Sequence, residues 1–128
     1  MSGAGQLCRL LKGVLLVSTA LRGQKSAAEI ALLNTSIGIT VRAHEEVMRM
    51  LAPGWNEFEV QALVEYTYRR NGADRPGFTT IAGSGDNATT LHYWRNDRAI
   101  QAGELMVLDI GASGRRAIAR PDRAGCAA

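Results

Sequence analysis

The pattern of apolar positions predicts a long helix in the first half of the chain. Ser26 and Glu29 form a capping box, in which each side chain accepts a hydrogen bond from the other's backbone N–H. Apolar residues then recur at steps of three and four, which predicts one buried stripe. The stripe consists of Ile30, Leu33, Ile37, Val41, His44, Met48 and Leu51. We interpret His44 as a packing residue of this stripe, and Pro53 with Gly54 predicts the helix end.

A second, shorter helix is predicted directly afterwards. Asn56 and Glu59 repeat the capping arrangement, and Asn71 with Gly72 predicts the end, because glycine readily adopts the left-handed conformation of a helix C-cap. The predicted apolar stripe of this helix consists of Val60, Leu63, Val64 and Thr67.

The second half of the chain has the pattern of strands. The segment GFTTIAGSG at 77–85 predicts a short strand that runs into a glycine turn, and ATTLHYW at 88–94 is rich in residues that favour strands. LMVLDIG at 105–111 is apolar at consecutive positions, as in a strand covered on both faces. Two helices followed by strands predict an α+β fold with the helices packed on one face of a sheet.

The N-terminal apolar run does not predict a membrane anchor. GVLLVSTAL at 13–21 has nine residues, whereas a membrane-spanning helix needs about 20. Arg22 and Lys25 then follow where a signal peptide would require small residues for cleavage. We therefore interpret residues 1–24 as a linker or strand segment and predict no membrane partner.

Charge and cysteine content exclude further classes of protein. Residues 1–112 hold eleven basic and eleven acidic side chains, so the net charge of +3 arises in 113–128. A nucleic-acid-binding domain carries its basic residues on a formed element, and we therefore predict no nucleic-acid partner. Cys8 and Cys126 fit neither a zinc site nor a disulfide framework, and this cysteine usage suggests the cytoplasm.

Asp109 and His92 are the candidate functional residues. An ionised carboxylate in so apolar a strand costs several kcal/mol unless a cation or hydrogen-bond donors compensate it. Asp109 is therefore either a metal ligand or an aspartate at a strand end that faces solvent. His92, within LHYW, is either a site residue or, as is commoner for a lone histidine, a packing or surface side chain.

Taken together, three motifs resemble the pita-bread metallopeptidases. The motifs are KSAAEIALL, then PGWNEFEV, then GSGDNATTLHYWRNDRAIQAGELMVLDIGA. The resemblance covers 21–112 and is greatest to the branch of Xaa-Pro aminopeptidases and prolidases. It implies helices packed around a strongly curved antiparallel sheet, with a partial catalytic domain at 25–112 and a divergent tail at 113–128.

The resemblance also implies a chemistry and an assignment of residues. Members of this family hold two divalent cations, manganese, cobalt or zinc, that activate a water for hydrolysis, and those of the Xaa-Pro branch hydrolyse peptide bonds involving proline. Asp109 matches the first metal-binding aspartate. His92 matches a histidine that is not a ligand but helps to bind the substrate and to stabilise the transition state. The loop residues Gly83, Ser84, Gly85 and Asn87 also match. Intact members of the family can form homodimers.

The matched ligand set is incomplete in this chain. The second metal-binding aspartate of the family lies roughly eleven residues after the first, and this chain has Arg120 there, whose guanidinium cannot coordinate a cation. Asp122 lies two residues later, behind Pro121. The other three ligands belong to a later part of the family's domain. We therefore expect a fragment of an Xaa-Pro aminopeptidase or dipeptidase that is inactive by itself. The alternative is a non-catalytic pita-bread module that binds peptides or a protein partner.

Overall fold

The computed structural model describes residues 13–14, 16–19 and 22–114. The chain divides into two compact units, Met1–Ala31 and Leu32–Ala128. Among the described residues, the helices with defined bounds are α1 (Ala27–Met50) and α2 (Glu57–Arg70), and the strands are β1 (Arg75–Pro76), β2 (Ile81–Ser84), β3 (Met106–Asp109) and β4 (Ala112–Ser113). A 3-10 helix, Gly85–Thr89, follows β2.

Both predicted capping boxes are confirmed. The backbone N–H of Ser26 donates to Glu29 Oε2 over 2.8 Å, and that of Glu29 donates to Ser26 Oγ over 3.3 Å. At the start of α2, the N–H of Asn56 donates to Glu59 Oε2 over 2.6 Å, within a complete capping box. Gly72 follows α2 with a φ of 92°, as predicted for its end. Local sequence signals therefore determine where these helices begin and where α2 ends.

The strands form two antiparallel pairs. β2 pairs with β3, with Ile81 opposite Asp109 and Ser84 opposite Met106. β1 pairs with β4, with Arg75 opposite Ser113. These strands follow two helices along the chain, which confirms the predicted α+β class.

The core lies between α1, α2 and the inner faces of the strands. Its buried members are Ile39, Ala43, Val47, Val60, Val64, Tyr68, Ala73, Ala82, Ile100 and Ile110. Each fully buried valine contributes about 1.5 kcal/mol or more relative to an exposed one. This core holds the first residues of α2 near β2, which is the arrangement that builds the candidate site described below.

The side of α1 that is buried differs from the predicted side. Ile37, Val41 and Met48 are 58%, 48% and 72% exposed, whereas the buried residues of α1 are Ile39, Ala43 and Val47. The small Ala43 permits close packing of the helix, and the neighbouring Thr40 accepts a hydrogen bond from the backbone of Ala112 over 3.0 Å. Periodicity identifies an apolar side of a helix, but the neighbouring elements decide which side is covered.

Two further strand predictions are wrong. Residues 88–94 form no strand: they contain the end of the 3-10 helix and an irregular loop. His92 has a φ of 54° and Asn96, just beyond this segment, has a φ of 47°, both outside the strand region. The segment LMVLDIG does contain β3, but the strand is not covered on both faces. Val107 is 46% exposed and Asp109 is also exposed, whereas Met106 and Leu108 are half-buried, so the described residues cover only one face of β3.

The N-terminal apolar segment is helical where the structure describes it. Residues 13–14 and 16–19 have helical conformation, so the strand alternative for this segment is wrong, while the linker alternative stays a prediction. A short apolar run has no periodicity that separates a helix from a strand, and its leucines favour a helix. Within the described residues, no helix is both long enough and apolar enough to cross a membrane. The division of the chain at residues 24 and 112 stays a prediction.

Candidate functional site

Asp109 lies at the end of β3, opposite Ile81 of β2. Its side chain is exposed, and its carboxylate makes no hydrogen bond or ion pair with any residue that the structure describes. The high desolvation cost inferred from the apolar sequence therefore does not arise. Pairing with β2 fixes the backbone of Asp109, while the carboxylate is free to bind a ligand from solution. Its assignment as a metal ligand stays a prediction.

His92 lies in the loop that follows the 3-10 helix, directly before Tyr93. Its ring is exposed, and no described residue forms a hydrogen bond with it. Its φ of 54° is uncommon for a residue other than glycine and is maintained only where the surrounding structure holds it. The next residue, Tyr93, is 7% exposed, so a buried neighbour anchors the exposed histidine.

Neighbouring atoms lie so close to Gly83 and Gly85 of the predicted loop that a side chain at either position would clash. A Cβ atom at Gly83 would lie 2.9 Å from the backbone oxygen of Asn87. Gly85 has a φ of 53°, and a Cβ atom there would lie 2.6 Å from the carboxylate of Glu104. The loop therefore depends on glycine at both positions.

Glu57, the first residue of α2, belongs to this region although no sequence pattern predicted it. Its side chain is 0% exposed, and its carboxylate accepts hydrogen bonds from groups of the loop that follows β2. The donors are Ser84 N (2.7 Å), Ser84 Oγ (2.8 Å), Tyr93 Oη (2.7 Å), Arg98 N (3.1 Å) and Asn87 Nδ2 (3.2 Å). An acidic residue in the first turn of a helix is common, so the sequence contained no signal that this one is buried.

Hydrogen bonding sets the ionisation of this carboxylate. Burial raises the pKa of Glu57, but the hydrogen bonds from Ser84, Tyr93 and Arg98 together outweigh burial and hold that pKa below its ordinary value. Burial, together with the hydrogen bond to Glu57, raises the pKa of Tyr93 to about 12. At neutral pH the pair is therefore an anionic acceptor with a neutral donor.

A second buried side chain supports the same region. Asn96 is fully buried, and its Oδ1 accepts a hydrogen bond from Ala82 N over 3.0 Å. Its Nδ2 donates to the oxygens Gln61 Oε1 (2.9 Å) and Thr80 O (2.8 Å). Asn96 thus satisfies buried backbone groups on both sides of the start of β2.

An ion pair closes the end of the loop. Arg98 Nη2 lies 2.5 Å from Glu104 Oε1, and Arg98 Nη1 donates to Ser84 Oγ over 2.9 Å. Hydrogen bonding from Arg98 lowers the pKa of Glu104 to about 2. Arg98 thereby connects the start of the loop to the segment that leads into β3.

The described residues alone do not fit a two-metal site. Among them, no group of three or more histidine, cysteine, aspartate or glutamate side chains could hold a metal ion. Tightly bound catalytic metals have at least three protein ligands, and Asp109 offers one carboxylate. Arg120 and Asp122, with the rest of the predicted tail beyond residue 114, lie outside the described residues. No reaction step is therefore assigned to a metal ion in this chain.

A groove of about 480 Å³ lies between α1 and α2 but is separate from these residues. Its charged lining residues are Arg42, Glu45, Glu46, Arg49 and Arg70. Neither Asp109 nor His92 contributes to it. The groove is therefore not the candidate site.

Similarity to known proteins supplies what the geometry alone does not. The sequence profile of Metallopeptidase family M24 matches residues 31–123. An Xaa-Pro aminopeptidase of Escherichia coli is 37% identical over 87 residues, which are 68% of this chain and 20% of that protein. The human Xaa-Pro dipeptidase is 38% identical over 92 residues, covering 68% of this chain and 19% of that protein.

Solved structures agree with the sequence matches. A prolidase from Pyrococcus furiosus superposes with a TM-score of 0.73 at 35% identity, covering 76% of this chain and 29% of that one. Proline aminopeptidase P II from Yersinia pestis superposes with a TM-score of 0.68 at 35% identity, covering 69% of this chain and 20% of that one. The chain spans about a fifth of the length of the curated relatives described above.

Proposed function

Because the chain belongs to metallopeptidase family M24, we propose that Asp109 and His92 are its contributions to the site of an Xaa-Pro peptidase. The family match confirms the resemblance to the pita-bread metallopeptidases, and the solved structures confirm a partial pita-bread fold. The observation that carries the proposal is the exposed carboxylate of Asp109. The paired backbone of β3 holds the residue in place, and no described residue forms a hydrogen bond or ion pair with its carboxylate.

The proposed reaction is hydrolysis of a peptide bond involving proline. The name of the family marks its intact members as metal-dependent peptidases, and manganese, cobalt or zinc is our proposal for the ions. Asp109 would supply one carboxylate ligand and His92 an exposed imidazole that contacts the peptide. Since the described residues provide one such carboxylate, we propose that the chain by itself does not hydrolyse peptides.

The setting of the protein is also a proposal. We assign it to the cytoplasm on the basis of its cysteine usage, and the expectation of no nucleic-acid partner stays a prediction, as does a homodimer in intact relatives. The relatives described above carry the names of peptidases, which does not favour the alternative of a non-catalytic module that binds peptides or proteins.

The proposal is tested by measuring bound metal and turnover together. The chain is purified with manganese, its metal content is measured, and it is assayed on an Xaa-Pro dipeptide and an Xaa-Pro-Xaa tripeptide. We expect fewer than two manganese ions per chain and no turnover. Two retained ions, with turnover that His92→Ala abolishes, would overturn the proposed inactivity.

A matched pair of variants tests the role of Asp109. Asp109→Asn should weaken manganese binding, whereas Asp74→Asn should leave it unchanged, because Asp74 is also exposed but lies before β1. Equal manganese affinity in the two variants would remove Asp109 from the proposed site. Peptide binding without turnover in every variant would instead support the non-catalytic alternative.

A further inference from the structure

The buried carboxylate of Glu57 has no part in the chemistry proposed so far. Its two oxygens accept hydrogen bonds from Ser84, Asn87, Tyr93 and Arg98, all of which belong to the loop segment from Ser84, the last residue of β2, to Arg98. A carboxylate that is removed from water in this way requires such donors, and hydrogen bonds to a charged acceptor are stronger than neutral ones. The arrangement is therefore a strong connection between α2 and that loop.

The donors are spread along the loop rather than clustered at one end. Ser84 begins it, Asn87 and Tyr93 lie within it, and Arg98 ends it. Tyr93 Oη also accepts a hydrogen bond from Asn87 Nδ2 over 2.8 Å, so the two inner donors are connected to each other. A single side chain on a helix thus fixes the loop at its start, its middle and its end.

His92 lies between the two inner donors. It follows Asn87 by five residues and directly precedes Tyr93, whose hydroxyl donates to Glu57 Oε2 over 2.7 Å. The positive φ of His92 costs on the order of 1 kcal/mol or more in a residue other than glycine, so the neighbouring anchors must maintain it. The imidazole ring is exposed and forms no hydrogen bond or ion pair with any residue that the structure describes.

We propose that Glu57 is a positioning residue, whose buried carboxylate holds the loop from Ser84 to Arg98 and thereby sets the orientation of His92. That this orientation serves contact with a peptide substrate rests on the proposed function, whereas the orientation itself is a property of the folded chain. The neighbouring Glu59 serves the capping box of α2 and makes no hydrogen bond to the loop. It therefore provides a matched control on the same helix turn.

The test uses the imidazole NMR signals of the full chain. His44 and His92 are the only histidines in the sequence, so the spectrum of labelled protein holds two sets of imidazole signals. Glu57→Gln replaces one acceptor oxygen by an NH₂ group that faces the donors Tyr93 and Arg98. We expect the His92 signals to shift, double or broaden while those of His44, on α1, stay in place. Glu59→Gln should leave both sets unchanged.

A folded Glu57→Gln variant with unchanged His92 signals would overturn the proposal. If Glu57→Gln does not unfold cooperatively, Tyr93→Phe and Ser84→Ala carry the same test, since each removes a single donor. We expect a smaller change of the His92 signals in each, and no change in either would equally overturn the proposal. The measurement requires neither metal nor turnover. If the proposed peptidase function fails but the His92 signals move in Glu57→Gln, this inference still holds, so the two failures are distinguishable.

Discussion

The two outer edges of the β2–β3 pair differ: side chains accept hydrogen bonds from the edge of β2 (the closed edge), whereas no described strand pairs with the edge of β3 (the open edge). On the outer edge of β2, the N–H groups of Ala82 and Ser84 donate to the side chains of Asn96 and Glu57 over 3.0 and 2.7 Å. N–H groups alternate between the two edges of an antiparallel strand, so Leu108, which lies opposite Ala82, directs its N–H to the outer edge of β3. No strand that the structure describes pairs with that edge.

The difference separates polar side chains that stabilise the fold from polar side chains that can bind a ligand. Glu57 and Asn96 are buried and have several hydrogen-bond partners, which is the condition under which a buried polar group stabilises a fold. Asp109, at the end of the open strand, is exposed and unpartnered within the described residues. An open edge is also a place where further protein can pair. We expect the remaining ligands of a family M24 site to approach from this side.

The largest expected effect on stability is that of Glu57→Ala, which removes the acceptor of the Ser84 N–H at the closed edge. The variant leaves the buried N–H and O–H of Ser84 without their acceptor, and each such group costs about 1–3 kcal/mol. We expect the free energy of unfolding in urea to fall by about 3 kcal/mol or more. The control Glu59→Ala, which removes a capping interaction, should cost about 1 kcal/mol. Equal losses in the two variants would contradict a special role for the buried carboxylate.

Asn96→Ala tests the other side chain that closes this edge. It removes the acceptor of the Ala82 N–H and the donor to the Thr80 carbonyl, so we expect a loss of about 2 kcal/mol in the free energy of unfolding. Asn34→Ala, at an exposed position of α1, should not destabilise the protein. An Asn96→Ala variant as stable as the unmodified chain would show that this edge needs no side-chain cap.

Acidification should weaken the closed edge selectively. Hydrogen bonding holds the folded-state pKa of Glu57 below the ordinary value of a glutamate, so its contribution to stability is present above that ordinary value and is lost as the pH falls through the lowered pKa. Glu104, whose pKa is lowered to about 2, extends the loss towards pH 2. We expect the unfolding free energy to decrease from pH 6 to pH 3, and to decrease less in Glu57→Gln. An identical decrease in that variant would exclude Glu57 as a source.

The smallest effect is expected at the open edge. Asp109→Asn should change the free energy of unfolding by no more than about 0.5 kcal/mol, because the carboxylate has no described partner to lose. Urea unfolding at pH 7 without added metal measures this directly. A loss of about 2 kcal/mol would mean that Asp109 has a structural partner and would remove the contrast with Glu57.

Local features of the fold were predictable from the sequence. The capping boxes located the starts of α1 and α2, and the turn signals located the end of α2, because these depend on residues within one helix turn. The positions of β2 and β3 followed from short apolar segments between turns. The motif order identified the family. Asp109 and His92 were already candidates because of their apolar neighbours in the sequence, and the resemblance supplied their expected roles.

What depends on distant neighbours was not predictable. The covered side of α1 is the one with Ala43 rather than the one with Val41, since close packing with other elements decides it. Glu57 gave no signal of burial, because its donors lie at least 27 positions further along the chain. The segment 88–94 has strand-forming residues, yet anchoring of Tyr93 by Glu57 and the positive φ of His92 exclude a strand.

Amide hydrogen exchange tests the contrast between the two edges most directly. Under native conditions, the N–H groups of Ala82 and Ser84 should exchange about a hundredfold more slowly than that of Leu108, because buried side chains bind the former and nothing described binds the latter. Equal protection of Leu108 would contradict the account, since it would mean that the edge of β3 beside Asp109 is already covered.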